Sequence, residues 1–176
     1  MKFTETPIKG AFIIDPEEIH DERGFFARTF CVDEFGKAGL STQFPQCNVS
    51  YNDKKATLRG MHYQVEPFGE IKIVRCTSGS VYDVLVDLRP GSATYRKWFG
   101  VELSASNRRA IYIPKGIAHG FITLTDGAEL FYMMSAIYKP EAARGVRFDD
   151  PAIGIKWPLQ PLVISQRDIN YPGILH

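Results

Sequence analysis

The sequence predicts an all-β domain, a sandwich or barrel built from many short strands. Three observations predict it. Fifteen glycines and eleven prolines interrupt the chain at short intervals, which suits strands joined by turns better than long helices. Aromatic residues make up 12% of the chain, and they favour the pleated, half-buried surface of a sheet. Several segments also alternate apolar and polar residues with the period of two that a strand with one buried face requires.

The first predicted element is a helix over residues 32–37, with Asp33 placed to cap its start and Gly39 to close its end. It spans little more than a turn or two, a decoration on the β domain. Segment 57–64, Thr-Leu-Arg-Gly-Met-His-Tyr-Gln, reads as a strand. Strict alternation would send Arg59 and His62 to opposite faces unless Gly60 introduces a bulge. Segment 71–76, Ile-Lys-Ile-Val-Arg-Cys, alternates clearly, and 84–88 does so before the Pro90-Gly91 turn. Strands are expected at 98–103, 110–113, 120–124 and 129–138, separated by Ser106-Asn107, Pro114-Lys115-Gly116 and Asp126-Gly127. No repeat, linker or change of composition marks a second unit, so residues 1–176 are expected to form one domain.

Charge excludes several classes of function. The chain carries 21 Lys+Arg against 20 Asp+Glu, a net charge of +1, which leaves no broad basic face for nucleic acid. No apolar run has the roughly 18–20 residues of a membrane span. The opening Met-Lys-Phe-Thr-Glu, followed by Pro7, lacks the apolar core of a signal peptide, so a cytoplasmic location is expected. Cys31, Cys47 and Cys76 are too few and too scattered for a disulfide framework, and no Cys-x-x-Cys pair points to zinc.

Several polar residues are candidates for chemistry. His62 stands close to Arg59 across a glycine, a basic pair in a tight segment. Lys72 lies mid-strand among apolar neighbours; it either snorkels from an edge strand or points an ammonium inward to hold an oxyanion. Tyr132 sits in an apolar run and reads first as a core residue with a tethered hydroxyl. Tyr138 is unremarkable by itself, Asp168 reads by default as a solvent-exposed acid near the C-terminus, and Arg75, Arg89 and the Arg108-Arg109 pair read as surface or turn residues. His119 closes a Pro-x-Gly-x-x-His pattern that resembles the second motif of the cupin superfamily. The upstream His-x-His pair of metal-binding cupins is replaced by His62-Tyr63-Gln64, so the ligand count for a transition metal falls short.

The whole pattern resembles the dTDP-4-dehydrorhamnose 3,5-epimerase family. The resemblance runs nearly end to end, through Asp21 to Phe26, Gln46 to Ser50, Thr57 to Gln64, Lys72 to Cys76, Asp83 to Arg89, Ile113 to Phe121, Asp149-Asp150-Pro151, Trp157-Pro158 and Ser165 to Asp168. It implies a cupin-like double-stranded β-helix jelly roll that needs neither metal nor cofactor. It also implies a homodimer that exchanges N-terminal strands, with a nucleotide-sugar substrate inside each barrel. By the same resemblance His62 is the general base paired with Asp168, and Tyr132 is the acid on the opposite face of the sugar. Lys72 stabilises the enolate oxygen at C4 and His119 helps polarise that carbonyl. Arg59 binds the diphosphate, Gln46 and Asn48 bind substrate, Phe26 and Arg28 belong to the nucleotide side, Arg23 reaches the diphosphate from the partner subunit, and Tyr138 stacks on the base.

The chain departs from the family pattern at a few positions. Arg28 stands where a Glu that contacts thymine is common, Ala143 replaces a Glu, Arg167 replaces a Lys and Glu70 replaces a Gln. An arginine offers only donors, suited to the unprotonated N3 of cytosine, so a CDP-linked sugar is an alternative to the thymidine default. A C3-only epimerase is a second alternative. A 3,4-ketoisomerase, a metal-dependent cupin and a noncatalytic sugar-nucleotide binding module are more distant ones.

Overall fold

The computed structural model describes residues 1–174. Among these the chain forms β1 (Lys2–Glu5), β2 (Phe12–Asp15), β3 (Glu18–Asp21), β4 (Gly24–Ala27), α1 (Val32–Lys37), β5 (Gln46–Asn52), β6 (Thr57–Gln64), β7 (Lys72–Ser78), β8 (Ser80–Asp87), β9 (Trp98–Ser104), β10 (Ala110–Ile113), β11 (Ile117–Thr123), β12 (Ala128–Met134), β13 (Ala143–Gly145), β14 (Val163–Ile164) and α2 (Gln166–Ile169). One sheet runs β1-β2-β10-β7-β12-β5 and a second runs β13-β6-β11-β8-β9, with β14 added beside β6. Strands far apart in sequence are neighbours in both sheets, the connectivity of a jelly roll. β3 and β4 form a separate hairpin.

The period of two sorts side chains into three apolar layers. Between the sheets, Val74, Cys76, Ile111 and Leu130 meet Leu85, Leu103, Ile117 and Phe121. On the outer side of the first sheet, Phe35 of α1 packs with Ile14, Ile73 and Tyr112. Phe35 is fully buried, and withdrawing a side chain of that size from water is worth about 2–3 kcal/mol. Over the second sheet, Met61, Val84, Val86 and Ala118 are covered by Val146, Ile153 and Trp157. All seven residues of β11 are consequently buried.

Several boundaries differ from the sequence expectation for local reasons. The N-cap of α1 is Cys31, which is extended; Asp33 lies in the first turn, where its charge still complements the helix dipole. Gly39, at φ +71°, closes the helix as expected while Leu40 N–H donates to the Phe35 carbonyl at 2.9 Å. β12 ends at Met134, short of the residue 138 expected from the sequence. β7 is a central strand and Lys72 is buried, so the edge-strand reading of that lysine is corrected. Arg108 and Arg109 are not a free turn. Arg108 bonds Glu18 at 3.0 Å and lies over Phe25, and Arg109 bonds Asp15 at 2.8 Å.

β6 carries a bulge. His119 pairs with His62, but Phe121 pairs with Arg59, so Gly60 and Met61 together oppose Gly120. Gly60 has φ +139°, and a Cβ built on it would lie 2.5 Å from the Gly120 Cα. A Cβ on Gly120 would meet Met61 Sδ at 2.6 Å and the Arg59 carbonyl at 2.8 Å. Two glycines are therefore required where the backbones touch. The extra residue brings Arg59 and His62 to the same face.

At the far end of β8, fully buried Asp87 accepts from Arg89 Nη2 at 2.7 Å and from the Ser92 and Thr94 hydroxyls at 2.6 Å each. Burial pushes the carboxyl up, but these donors outweigh it and hold it far below the ordinary value.

Two predictions follow from this packing. Gly120→Ala should cost about 1–3 kcal/mol through overpacking at the bulge, read as a lower urea midpoint; an unchanged midpoint would show that the strands can part without cost. Asp87→Asn should cost about 3 kcal/mol at neutral pH, because Arg89 is left without its buried partner. The folded carboxyl titrates below the unfolded one, so the unfolded chain binds the proton first. The contribution of Asp87 is complete above about pH 4 and is lost as pH falls below it. Urea unfolding between pH 6 and 2.5 should give a shallower acid decline for the variant than for the wild type. Parallel declines would remove Asp87 as their source.

Candidate active site

A cleft opens where the two sheets face each other. One cavity of about 270 Å³ is lined by Asn48, Ser50, Arg59, His62, Lys72, His119 and Tyr132, among others. An adjoining cavity of about 330 Å³ shares Asn48, His62 and Lys72 and adds Gln46, Glu70, Tyr138, Arg144 and Arg167. The second sheet contributes His62 and Arg59 from β6 and His119 from β11. The first contributes Lys72 from β7, Tyr132 from β12 and Asn48 from β5.

His62 Nε2 lies 2.7 Å from Asp168 Oδ1. Asp168 is buried, contrary to the solvent-exposed acid expected from its place near the C-terminus. Ser165 caps α2 by accepting the Asp168 N–H, and this short helix turns the carboxylate inward. Its other oxygen accepts Gly60 N–H at 3.1 Å. Burial raises the Asp168 carboxyl, but the hydrogen bonds from His62 and Gly60 outweigh it and keep it below the usual range. An ionised carboxylate only accepts, so Nε2 carries a proton, and Nδ1 of His62 keeps the lone pair when the ring is neutral. His62 is 38% exposed on its side chain, open to the cleft. Tyr171 packs edge-on to its ring at 5.7 Å.

Tyr132 faces this imidazole from the opposite sheet. Its hydroxyl is 3.1 Å from Ser50 Oγ. Burial, assisted by the Asp83 charge and opposed by the Ser50 hydrogen bond, pushes the phenol well above its ordinary value. It is a protonated group at neutral pH. His119, 6.3 Å from the Tyr132 ring, bonds Asp83 Oδ2 through Nε2 at 2.7 Å, both residues being buried. The same logic leaves its Nδ1 unprotonated when the ring is neutral.

Lys72 is buried, with its ammonium 2.9 Å from Glu70 Oε1 and 3.4 Å from the His62 carbonyl. Arg59 Nε donates to Asn52 Oδ1 at 2.7 Å, which anchors it beside β5. At the outer cavity Gln46 accepts Tyr138 N–H at 3.0 Å and donates to Asn48 at 3.3 Å. The Tyr138 hydroxyl is the main cause that raises the Arg167 guanidinium above its ordinary value. Ten of the thirteen residues singled out in the sequence therefore meet at the cleft.

The other three, Arg23, Phe26 and Arg28, line neither cavity. Arg23 is exposed at the β3–β4 turn and is paired with Asp21. Phe26 is 70% exposed. Arg28 bonds Glu34 Oε1 at 2.8 Å. Ser50, Gln64 and Asp83 support the site from within segments of the family resemblance that carried no assigned role for them, and Tyr171 does so from outside those segments. Glu70 was visible only as an unusual residue two before Lys72.

Among the described residues no cluster of three His, Cys, Asp or Glu side chains is arranged to hold a metal ion, and no helix is long and apolar enough to cross a membrane. The cleft offers a base and a proton donor on facing sheets, with a fixed cation beside them. That arrangement can move a proton from one face of a carbon and return it on the other.

Comparison with known proteins agrees with this geometry. The family model described as dTDP-4-dehydrorhamnose 3,5-epimerase matches residues 5–175. A dTDP-4-dehydrorhamnose 3,5-epimerase of Methanothermobacter thermautotrophicus is 45% identical over 174 residues, covering 97% of this chain and 92% of the relative. One of Shigella flexneri is 44% identical over 171 residues, covering 97% and 94%. The crystal structure of a dTDP-6-deoxy-D-glucose-3,5-epimerase from Legionella pneumophila Philadelphia 1, in complex with dTDP-4-keto-L-rhamnose, superposes with a TM-score of 0.91 at 38% identity, covering 98% of this chain and 92% of that one. With its jelly roll and its paired His62 and Asp168 facing Tyr132 and Lys72, the chain belongs to the dTDP-4-dehydrorhamnose 3,5-epimerase family.

Proposed function

We propose that the protein epimerises C3 and C5 of dTDP-4-dehydro-6-deoxy-D-glucose to give dTDP-4-dehydro-L-rhamnose. One observation carries this reading: a histidine base and a protonated phenol face each other across one cavity that also holds a buried ammonium. Both C3 and C5 are alpha to the C4 ketone, so removal of either proton leaves an enolate with its charge on the C4 oxygen. His62 Nδ1 takes the proton while Asp168 stabilises the imidazolium that forms. Lys72 meets the growing charge on the oxygen, and His119 joins it only as the imidazolium, with Nδ1 protonated while Nε2 bonds Asp83. Tyr132 delivers a proton to the opposite face, inverting the centre. Arg59 holds the diphosphate, with Gln46, Asn48, Tyr138 and Arg167 placing the rest of the substrate.

Arg23 and Phe26 fit this reading as groups lent to a partner's cleft, since both are exposed and away from their own. The exposed Val49 and Tyr51 of edge strand β5 and Ile19 of the hairpin suit a homodimer. Thymidine is favoured over cytidine, because Arg28 is already engaged by Glu34 and is not an idle donor awaiting a base. The reading takes residues 1–176 as one domain. It places the chain in the cytoplasm, where the free Cys31, Cys47 and Cys76 suit a reducing compartment.

The test is incubation with dTDP-4-dehydro-6-deoxy-D-glucose and its CDP counterpart in deuterated water, followed by NMR of the sugar. Deuterium at C3 and C5 of the thymidine substrate is expected; deuterium at C3 alone would make the protein a C3 epimerase, and none with either substrate would overturn the reading. His62→Asn should lower exchange at both carbons by about 10²–10⁴-fold, the usual share of a general base. Tyr132→Phe should retain exchange but suppress inversion. A fully active His62→Asn protein would remove the base assignment.

A further inference from the structure

Glu70 is buried against Lys72 and belongs to a directional hydrogen-bond chain. Lys139 N–H donates to Gln64 Oε1 at 2.6 Å, which fixes the Gln64 amide with its nitrogen toward the Phe68 carbonyl at 3.0 Å and Glu70 Oε2 at 2.9 Å. Glu70 Oε2 must therefore accept. Its Oε1 faces the Lys72 ammonium at 2.9 Å, which only donates. A side chain that accepts at both ends is a carboxylate, whereas an amide would present a donor to one of these donors. The backbone of residue 139 thus dictates an anion at position 70.

The ammonium has three donors. One goes to Glu70, another points at the distant His62 carbonyl, and Lys72 still lines the cavity shared with His62 and Tyr132. We propose that Glu70 is a positioning residue that holds Lys72 charged and aimed at the oxyanion position, and so sets the alkaline limit of the reaction. The proposal rests on the epimerase reading. An anion this close favours the charged form of a buried amine, which burial alone disfavours. The other titratable groups facing the pair are His62 and Tyr63 on β6, Tyr138 and Arg144 on the segment after β12, and Arg167 on α2. Arg59, His119 and Tyr132 face Lys72 from the inner cavity. Glu70 is the carboxylate bonded to the ammonium.

The test compares wild type with Glu70→Gln, using exchange rates from pH 6 to 10.5 and the ¹³C-lysine NMR titration of Lys72, assigned by its loss in Lys72→Met. Glu70→Gln should lower the neutral rate, and the alkaline limb and the Lys72 midpoint should both move to lower pH by about one unit or more while the acid limb stays in place. In the Lys72→Met background, adding Glu70→Gln should change nothing further. An unmoved Lys72 midpoint, or an equal displacement of the limb in the Lys72→Met background, would overturn the proposal. Circular dichroism over the same range separates these results from unfolding. If Glu70→Gln does not fold, Gln64→Leu, which removes the donor that orients Glu70, should move the midpoint in the same direction, and an unmoved midpoint there would also overturn it. The NMR midpoint needs no turnover, so absence of exchange in the wild type would count against the epimerase reading alone.

Discussion

The close approach of Gly60 and Gly120 is the constraint on which the chemistry depends. Without the bulge, a regular β6 would turn Arg59 and His62 to opposite sides of the sheet. With it, both enter the cleft, and Gly60 N–H also meets Asp168, the carboxylate that orients His62. Backbone contact, the orientation of His62 and the placement of the Arg59 charge are thereby set by one local irregularity. A side chain at either glycine would have to separate β6 from β11, the strands that carry His62 and His119.

The jelly roll then solves the problem of opposite faces. Epimerisation at a planar enolate needs proton transfer above and below one carbon, and a single sheet presents only one surface to a ligand. Here His62, the proposed base, stands on β6 and the Tyr132 phenol on β12, strands of different sheets packed across the same interior. Groups on strands are held more rigidly than groups on loops, which favours preorganised stabilisation of the oxyanion. α2 is the exception. It lies outside both sheets, and its Ser165 cap fixes Asp168 behind the imidazole.

Much of this was legible in the sequence where a strand has one apolar face. β10 was located to the residue, β7 and β9 nearly so, and Gly60 announced the possibility of a bulge. β5 was not recognised, because its inward residues are Gln46, Asn48, Ser50 and Asn52 while Val49 and Tyr51 point outward. A strand that lines a polar cleft inverts the usual pattern. The start of β11 was hidden for the opposite reason, since both its faces are buried and periodicity vanishes. Asp168 looked exposed because a four-residue helix gives almost no periodic signal. The family resemblance placed it with His62, which local pattern alone could not do.

The near-zero net charge acquires meaning at the cleft. His62, His119 and Lys72 each have a carboxylate behind them: Asp168, Asp83 and Glu70. None of these pairs carries a net positive charge, so they do not by themselves draw in a diphosphate. Each carboxylate instead occupies one atom of its partner, Nε2 of His62, Nε2 of His119 and one N–H of Lys72, and so leaves the other atoms toward the cleft. The cations without such a buried acid, Arg59, Arg144 and Arg167, line the cleft beside them. In the proposed reaction, attraction of the anionic substrate and chemistry at its ketone therefore fall to different side chains, and a change in one set need not disturb the other. Glu70 links Lys72 to the outer cavity, because one of its oxygens holds the ammonium while its Gln64 contact leads to the backbone beside Tyr138.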